Sequence, residues 1–222
     1  MSSITERLGQ VHARIARACG ECGRDPAGVR LVAVSKFHSL AAIRAAYAAG
    51  QRDFGENYAQ ELLDKARELA DLPALRFRFI GGLQRNKAKL LVAARCAIET
   101  LASEATARTL SERAAADGTE LEVMLQVNVL GEAQKSGIAP SDLAALVAVV
   151  RALPALRLSG LMAIPPAGDP ERALRCYETL AELAKGHGLS ELSMGMSDDL
   201  ELAVRAGSTS VRVGTAIFGP RP

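Results

Sequence analysis

The residue whose setting points most directly to covalent chemistry is Lys36. Residues 29–36, VRLVAVSK, form a β-branched apolar run that ends in a charge, a pattern typical of a buried strand. Because strand side chains alternate between faces, Val32, Val34 and Lys36 share one side. Lys36 is therefore either a strand-end lysine that reaches solvent, or a partly buried amine that can form a Schiff base with an aldehyde.

Residues near the C-terminus form a second group, which could bind an anion. Residues 194–197, MGMS, lead directly into a predicted short helix, whose backbone N–H groups and positive dipole end favour an anion. Gly214 and Thr215 follow the last predicted strand and add a close backbone approach and a hydroxyl. The alternative is that Ser197 only caps the helix and that the glycines only form turns.

An anion site facing a lysine suggests that a phosphorylated aldehyde lies between them, and pyridoxal 5′-phosphate fits this chemistry. Its phosphate would lie at the helix end and its aldehyde carbon on Lys36. Arg212 shares a strand face with Gly214, so its side chain would point toward the ring. A permanent cation beside the pyridine nitrogen disfavours protonation of that nitrogen, which makes the ring a poor electron sink.

The element pattern predicts a scaffold that brings these strand ends together. A helix over residues 3–18 is followed by eight strands, and a helix follows every strand except the last. The predicted strands cover residues 29–36, 53–57, 77–81, 96–101, 121–129, 156–164, 192–196 and 209–214. Strict alternation favours a single-domain (β/α)₈ barrel over residues 1–222, with its active site at the carboxyl ends of the strands. A doubly wound open sheet is the alternative, although no GxGxxG follows the first strand.

Helix boundaries are predicted from capping residues. Ser39, Ser103, Ser141 and Asp169 precede helical patterns and are expected to cap them, and Gly20 is expected to end the first helix. Glu61 and Lys65 lie four residues apart on a predicted helix and should pair.

The composition argues against several classes of function. The net charge is +2, the basic residues are scattered and aromatic residues make up only 4%, so we expect neither nucleic-acid nor membrane binding. The polar N-terminus lacks the apolar region of a signal peptide, and a cytoplasmic protein is expected. Cys19 and Cys22 form a CxxC after the first helix, with no further ligands nearby, and are interpreted as incidental reduced thiols.

The sequence resembles the pyridoxal phosphate homeostasis proteins, also called proline synthase co-transcribed homologues. The matching motifs are LVAVSK (31–36), FGEN (54–57), FIG (79–81), LQ (83–84), NK (86–87), QVN (126–128), KSG (135–137), GLM (160–162), LSMGMS (192–197) and VRVGTAIFG (211–219). The resemblance implies a barrel like the N-terminal domain of alanine racemase, with pyridoxal phosphate held as an aldimine on Lys36. It implies phosphate contacts at Ser197, Gly214 and Thr215, Arg212 near the pyridine nitrogen, and Asn57 and Met162 around the ring.

Two stretches depart from the family pattern. The family usually has Trp-His before its Phe-Ile-Gly, where this chain has Phe77 and Arg78. After the fourth strand the family commonly shows a Ser-Val-Asp-like run, where this chain has residues 99–103, ETLAS. No role is assigned at the ends of strands three and four.

The expected function is non-catalytic: buffering pyridoxal phosphate and supplying it to apo-enzymes, by a monomer. A racemase needs a base on each face of its planar intermediate. Lys36 could be one base, and Tyr58 is the tyrosine nearest the barrel mouth, so an amino-acid racemase using Lys36 alone or with Tyr58 is the alternative. A barrel that binds another phosphate ligand without an aldimine is a third reading.

Overall fold

The computed structural model describes residues 3–220 and forms a closed barrel of eight parallel strands. Neighbours pair in sequence order, and β8 closes the barrel against β1. The strands are β1 (Arg30–Val34), β2 (Asp53–Glu56), β3 (Arg76–Phe79), β4 (Ala97–Leu101), β5 (Leu121–Gln126), β6 (Leu156–Met162), β7 (Glu191–Ser193) and β8 (Ser210–Val213). The predicted (β/α)₈ barrel is confirmed.

A helix follows each strand, and one further helix precedes β1. The helices are α1 (Ile4–Glu21), α2 (Leu40–Ala48), α3 (Ala59–Glu68), α4 (Ala88–Ala94), α5 (Glu104–Ala116), α6 (Leu143–Arg151), α7 (Pro170–Gly186), α8 (Leu200–Arg205) and α9 (Thr215–Phe218). The expectation that no helix follows the last strand is wrong, because α9 begins directly after Gly214. No helix within residues 3–220 is long and apolar enough to cross a membrane.

Several predicted boundaries are confirmed and others are wrong. Ser39, Ser103 and Asp169 accept backbone N–H bonds as helix caps. Ser141 does not cap α6, because a 3₁₀ turn at Pro140–Asp142 leads into that helix and Asp142 takes the cap position. The first helix does not end at Gly20 but continues to Glu21, so Cys19 is buried inside α1 and Cys22 is its C-cap. Every strand except β4, which ends at Leu101 as predicted, ends earlier than expected. Because β1 stops at Val34, Lys36 lies on the loop beyond it.

The inside of the barrel carries charge rather than branched apolar side chains alone. Arg78 of β3 forms ion pairs with carboxylates from three other strands. These contacts are possible because Arg78 and the three carboxylate side chains all point into the barrel. Its partners are Asp53 on β2, Glu99 on β4 and Glu122 on β5. Apolar side chains on the opposite strand faces, such as Phe54 and Val211, join the core between the barrel and its helices. The interior is therefore held together by ion pairs that link strands across the barrel.

Helix α1 packs against α8 and α9, at the end of the chain furthest from it in sequence. Arg7 donates from Nε to the Ile217 carbonyl oxygen at 2.6 Å. Arg14 pairs with Glu201 at 2.7 Å and donates to the Ser197 carbonyl oxygen at 2.8 Å. The additional helix thus supports the loops that follow β7 and β8.

Candidate functional site

A cavity of about 580 Å³ opens at the carboxyl ends of the strands, where a barrel's active site is expected. Six of the seven predicted site residues line it: Lys36, Asn57, Ser197, Arg212, Gly214 and Thr215. The seventh, Met162, is completely buried in β6 and is not among the lining residues. The structure therefore brings together side chains that are separated by up to 179 positions in the chain.

Lys36 enters the cavity from the loop between β1 and α2. It is half-buried, and Val34 lines the same space, in agreement with the predicted shared face. The next residue, Phe37, has a φ of 66°, a left-handed conformation that is uncommon for residues other than glycine. The loop is closed by a hydrogen bond from the His38 backbone N–H to the Ser35 carbonyl oxygen at 3.0 Å.

The loop between β7 and α8 is built around Asp199. Its carboxylate accepts the Met196 backbone N–H at 2.7 Å and the Tyr177 hydroxyl at 2.7 Å. Burial, together with the neighbouring Asp199 charge, raises the pKa of Tyr177, so this hydroxyl stays a donor. Because α8 begins at Leu200 with Asp199 as its N-cap, Ser197 is not the helix cap, and the alternative that it only caps the helix is wrong.

Gly195 allows this loop to pack closely. Its φ is 94°, and a β-carbon on it would lie 2.5 Å from the β-carbon of Ala203. On the loop after the adjacent strand β8, Gly214 is the N-cap of α9, and its carbonyl oxygen accepts from the Ile217 and Phe218 backbone N–H groups. Thr215, the first residue of α9, is exposed. The two loops border the cavity beside each other, as expected for a phosphate-binding rim.

Arg212 is a buried cation in the wall of the cavity. Its guanidinium donates to the Ser193 hydroxyl at 2.6 Å and to the Ala163 carbonyl oxygen at 3.0 Å. Burial lowers the pKa of Arg212 and the nearby Glu99 opposes this effect; an arginine stays charged in proteins. The cavity therefore contains a permanent positive charge whose direction is fixed by two hydrogen bonds.

A chain of buried contacts continues behind Arg212. Ser193 donates its hydroxyl proton to Glu99 at 2.6 Å, and the other oxygen of Glu99 accepts from Arg78 at 3.1 Å. Arg78 and Glu99 belong to the two stretches where the sequence departs from the family pattern, and here they contact each other. Sequence reasoning missed this relation; the signal was a pair of opposite charges on adjacent strands.

Asn57 supplies an acceptor without a partner. Its Oδ1 atom is buried and accepts no hydrogen bond within residues 3–220. A buried polar atom without a partner is costly, and such atoms usually mark a missing donor. Because Asn57 lines the cavity, the arrangement fits a ligand that brings a hydroxyl or N–H group.

Other lining residues were not predicted, among them His38, Ile80 and Ile164. The ring of His38 stacks on Phe218 of α9, with 4.8 Å between ring centroids. Its position in the loop that carries Lys36 was the signal that could have identified it. These residues give the cavity both apolar and polar walls.

None of the three tyrosines lines the cavity. Tyr177 bonds to Asp199, and Tyr47 donates to the Pro73 carbonyl oxygen at 2.5 Å. Tyr58 is exposed, and its ring lies against Phe37 with 5.1 Å between centroids. The site as described therefore presents one amine and no tyrosine hydroxyl to a ligand.

A second cavity of about 510 Å³ lies at the opposite end of the barrel, where β3 and β4 begin. Three of its four arginines, Arg76, Arg78 and Arg157, pair with carboxylates in the structure. It lacks a lysine and lies away from the strand ends where barrels hold their ligands. The cavity at the mouth is therefore the candidate functional site.

Comparisons with known proteins agree with this fold. The sequence model of the family described as alanine racemase, N-terminal domain, matches residues 7–222, which defines the class of barrel. Relatives named pyridoxal phosphate homeostasis protein are 51% identical in Pseudomonas aeruginosa, over 100% of this chain and 97% of the relative, and 42% identical in Escherichia coli K12, over 100% and 98%. The chain belongs to the family of the pyridoxal phosphate homeostasis proteins.

A solved structure extends the comparison to a bound ligand. PipY of Synechococcus elongatus PCC7942, determined with PLP bound, is 40% identical, with a TM-score of 0.86 over 98% of this chain and 100% of PipY. PipY determined without PLP gives a TM-score of 0.87. The architecture described here is thus similar to that of a relative that holds pyridoxal phosphate.

Proposed function

We propose that this protein binds pyridoxal 5′-phosphate on Lys36 and acts in intracellular vitamin B6 homeostasis, by buffering the cofactor and supplying it to enzymes. The observation that carries the proposal is one cavity lined by Lys36, the buried cation of Arg212 and the buried acceptor of Asn57. The names of the full-length relatives and the ligand of PipY support it.

Each lining residue has a role that follows from its chemistry. The Lys36 amine condenses with the aldehyde carbon and one water leaves, which holds the ligand covalently. Ser197, Thr215 and the backbone at Gly214 contact the phosphate, and the acceptor of Asn57 receives a donor from the ring. Met162 lies buried in β6 and supports the ring's surroundings without lining the cavity.

The proposed role is that of a carrier without robust catalysis. When bound to an enzyme, pyridoxal phosphate acts as an electron sink, and it does so most strongly when its ring nitrogen carries a proton. The fixed cation of Arg212 near that nitrogen disfavours the proton. A two-base racemase also needs a second base opposite Lys36, and Tyr58 is outside the cavity lining.

The first test is the absorption spectrum of the purified protein before and after borohydride, followed by peptide mass mapping. We expect a visible band that disappears on reduction and leaves a pyridoxyl group on Lys36. Lys36→Ala should remove both signals while the protein stays folded. A wild-type protein that stays colourless when given pyridoxal phosphate would overturn the proposal.

Supply and catalysis need separate measurements. Loaded protein should speed the reconstitution of an apo-enzyme that depends on pyridoxal phosphate; no acceleration with any such enzyme argues against supply. Solvent deuterium should not enter the α-carbon of common amino acids. Exchange that Lys36→Ala abolishes would instead establish the racemase alternative.

The expected assembly and location are part of the same proposal. We propose that the protein is a monomer, because the cavity is built within one chain, and that it acts in the cytoplasm. Size-exclusion chromatography with light scattering should give the mass of one chain. The mass of a dimer would refute the proposed monomeric state.

A further inference from the structure

Helix α3 reaches across to the loop that carries Lys36 and holds the backbone on both sides of it. Glu61 Oε1 accepts the Phe37 backbone N–H at 2.7 Å. Lys65 donates from Nζ to the Ser35 carbonyl oxygen at 2.7 Å. The two residues that flank Lys36 are therefore each bonded to a charged side chain from the same helix.

The charges that make these bonds are tied to one another. Lys65 pairs with Glu61 at 2.8 Å, as predicted, and also with Glu56 of β2 at 2.7 Å. Glu56 accepts the Ser35 hydroxyl proton at 2.6 Å. The side chains of Lys65 and Glu56 are 8% and 0% exposed, so solvent screens the pair weakly. We call Glu56, Glu61 and Lys65 the Lys36 clamp.

The clamp holds a strained backbone conformation. Phe37 has a φ of 66°, in the left-handed region that side chains with a β-carbon rarely adopt. The bond from the Phe37 N–H to Glu61 holds the peptide plane between Lys36 and Phe37. Because Ser39 and α2 hold the chain beyond Phe37, a fixed plane on this side favours the left-handed φ. The ring of Phe37 is exposed, so packing of the ring in a core does not impose it.

We infer that the Lys36 clamp is a positioning device that keeps Phe37 left-handed and thereby directs the Lys36 amine into the cavity. Ser39 and α2 fix the chain on the far side of Phe37, so a change of φ at Phe37 must be taken up at Lys36. None of the three clamp residues lines the cavity, so they act through Lys36 and not on the ligand. The inference rests on the proposed role of Lys36.

A matched pair of substitutions at position 37 distinguishes the effect of the backbone conformation from the effect of losing the phenylalanine ring. Phe37→Ala and Phe37→Asn both remove the ring that lies against Tyr58, but asparagine adopts the left-handed region more readily than alanine. The measurement is the concentration of pyridoxal phosphate that gives half-maximal borohydride-trapped label on Lys36. We expect Phe37→Ala to raise it roughly tenfold, and Phe37→Asn to stay within about twofold of wild type.

A second pair tests the clamp residue itself. Glu61→Gln keeps an acceptor oxygen for the Phe37 N–H, whereas Glu61→Ala removes it. Glu61→Ala should raise the half-maximal concentration and speed hydrogen exchange at the Phe37 amide, and Glu61→Gln should largely restore both. Thermal unfolding of all four variants shows whether any loss follows from unfolding alone.

The experiments distinguish failure of the clamp inference from failure of the proposed function. If wild-type protein traps no label on Lys36, the proposed function fails, and exchange of the Phe37 amide without ligand still tests the clamp. If wild type is labelled and Phe37→Ala behaves as Phe37→Asn does, the left-handed conformation does not position Lys36. Equal labelling of Glu61→Ala and wild type would likewise overturn the inference.

Discussion

Gly81 lies so close to Asn57 that a side chain cannot be placed between them. A β-carbon on Gly81 would fall 1.9 Å from the Asn57 carbonyl oxygen, far inside van der Waals contact, and the obstacle is backbone. The neighbouring Gly82 has nothing within 4 Å of the same position. The loop after β3 therefore helps to fix the residue that presents a buried acceptor to the cavity.

Gly81→Ala should lower both stability and affinity for pyridoxal phosphate. The added methyl group must displace the Asn57 backbone, and overpacking of this kind costs about 1–3 kcal/mol. Urea unfolding and titration of the visible absorption band measure the two effects. Gly82→Ala is the matched control and should change neither; equal effects of the two substitutions would contradict the steric explanation.

The chemistry of single residues was predictable where the sequence placed it at a strand end. Lys36 and Asn57 could be found because each ends a predicted strand, and Arg212 because it shares a strand face with Gly214. The family resemblance implied that Met162 lies around the ring, but its side chain is buried in β6 and does not line the cavity. The left-handed Phe37 has no sequence signal, since neither glycine nor asparagine marks it.

At the scale of elements, strands β3, β4, β7 and β8 are linked through the barrel by buried polar contacts. The path runs from Arg78 to Glu99, then through Ser193 to Arg212 in the cavity wall. Barrel interiors are usually filled by branched apolar residues, so charge there needs partners on several strands. Helical and strand periodicity predicted the elements but not this pairing, which depends on barrel closure.

Arg78→Met should be strongly destabilising. It leaves the carboxylates of Asp53 and Glu99 buried without their shared cation, and breaking a buried pair on one side costs about 3–5 kcal/mol. The double variant Arg78→Met with Glu99→Gln removes one of those charges and should lose less than the sum of the single variants. Urea unfolding of the double-mutant cycle measures the coupling, and strict additivity would show that Arg78 and Glu99 act independently.

At the scale of the whole molecule, the strand order of the barrel followed from the alternation of apolar strands and amphipathic helices. The count of eight strand–helix units was enough to predict a closed barrel. The boundaries were less predictable: α1 runs past Gly20, and a 3₁₀ turn precedes α6, because tertiary packing overrides local breaking signals. The packing of α1 on the last helices had no local signal.

The buried carboxylates make the stability of the barrel depend on pH. Burial alone would raise the pKa values of Asp53 and Glu122. The neighbouring arginines outweigh burial and lower both pKa values: Arg76 and then Arg78 beside Asp53, and Arg78 and then Arg157 beside Glu122. A carboxyl group with a depressed folded pKa stabilises the protein above its ordinary pKa of about 4, and this contribution is lost as the pH falls through the folded value. Stability should therefore drop in acid below about pH 4.

Urea unfolding between pH 7 and pH 2 measures this loss. Asp53→Asn should make the acid part of the profile shallower. Asp71→Asn is the control, because the pKa of Asp71 is lowered by its hydrogen bond to Arg44 at the surface, where solvent screens the pair. If both substitutions flatten the profile equally, burial in the barrel is not the source of the acid sensitivity.

The position of α1 also sets an order of events during synthesis. This helix leaves the ribosome before any strand of the barrel, yet the helices α8 and α9 against which it packs are made last. Arg7 and Arg14 cannot reach Ile217 and Glu201 until nearly the whole chain has been translated. Helix α1 therefore lacks its α8 and α9 packing partners through most of translation, and its final packing is among the last steps of folding.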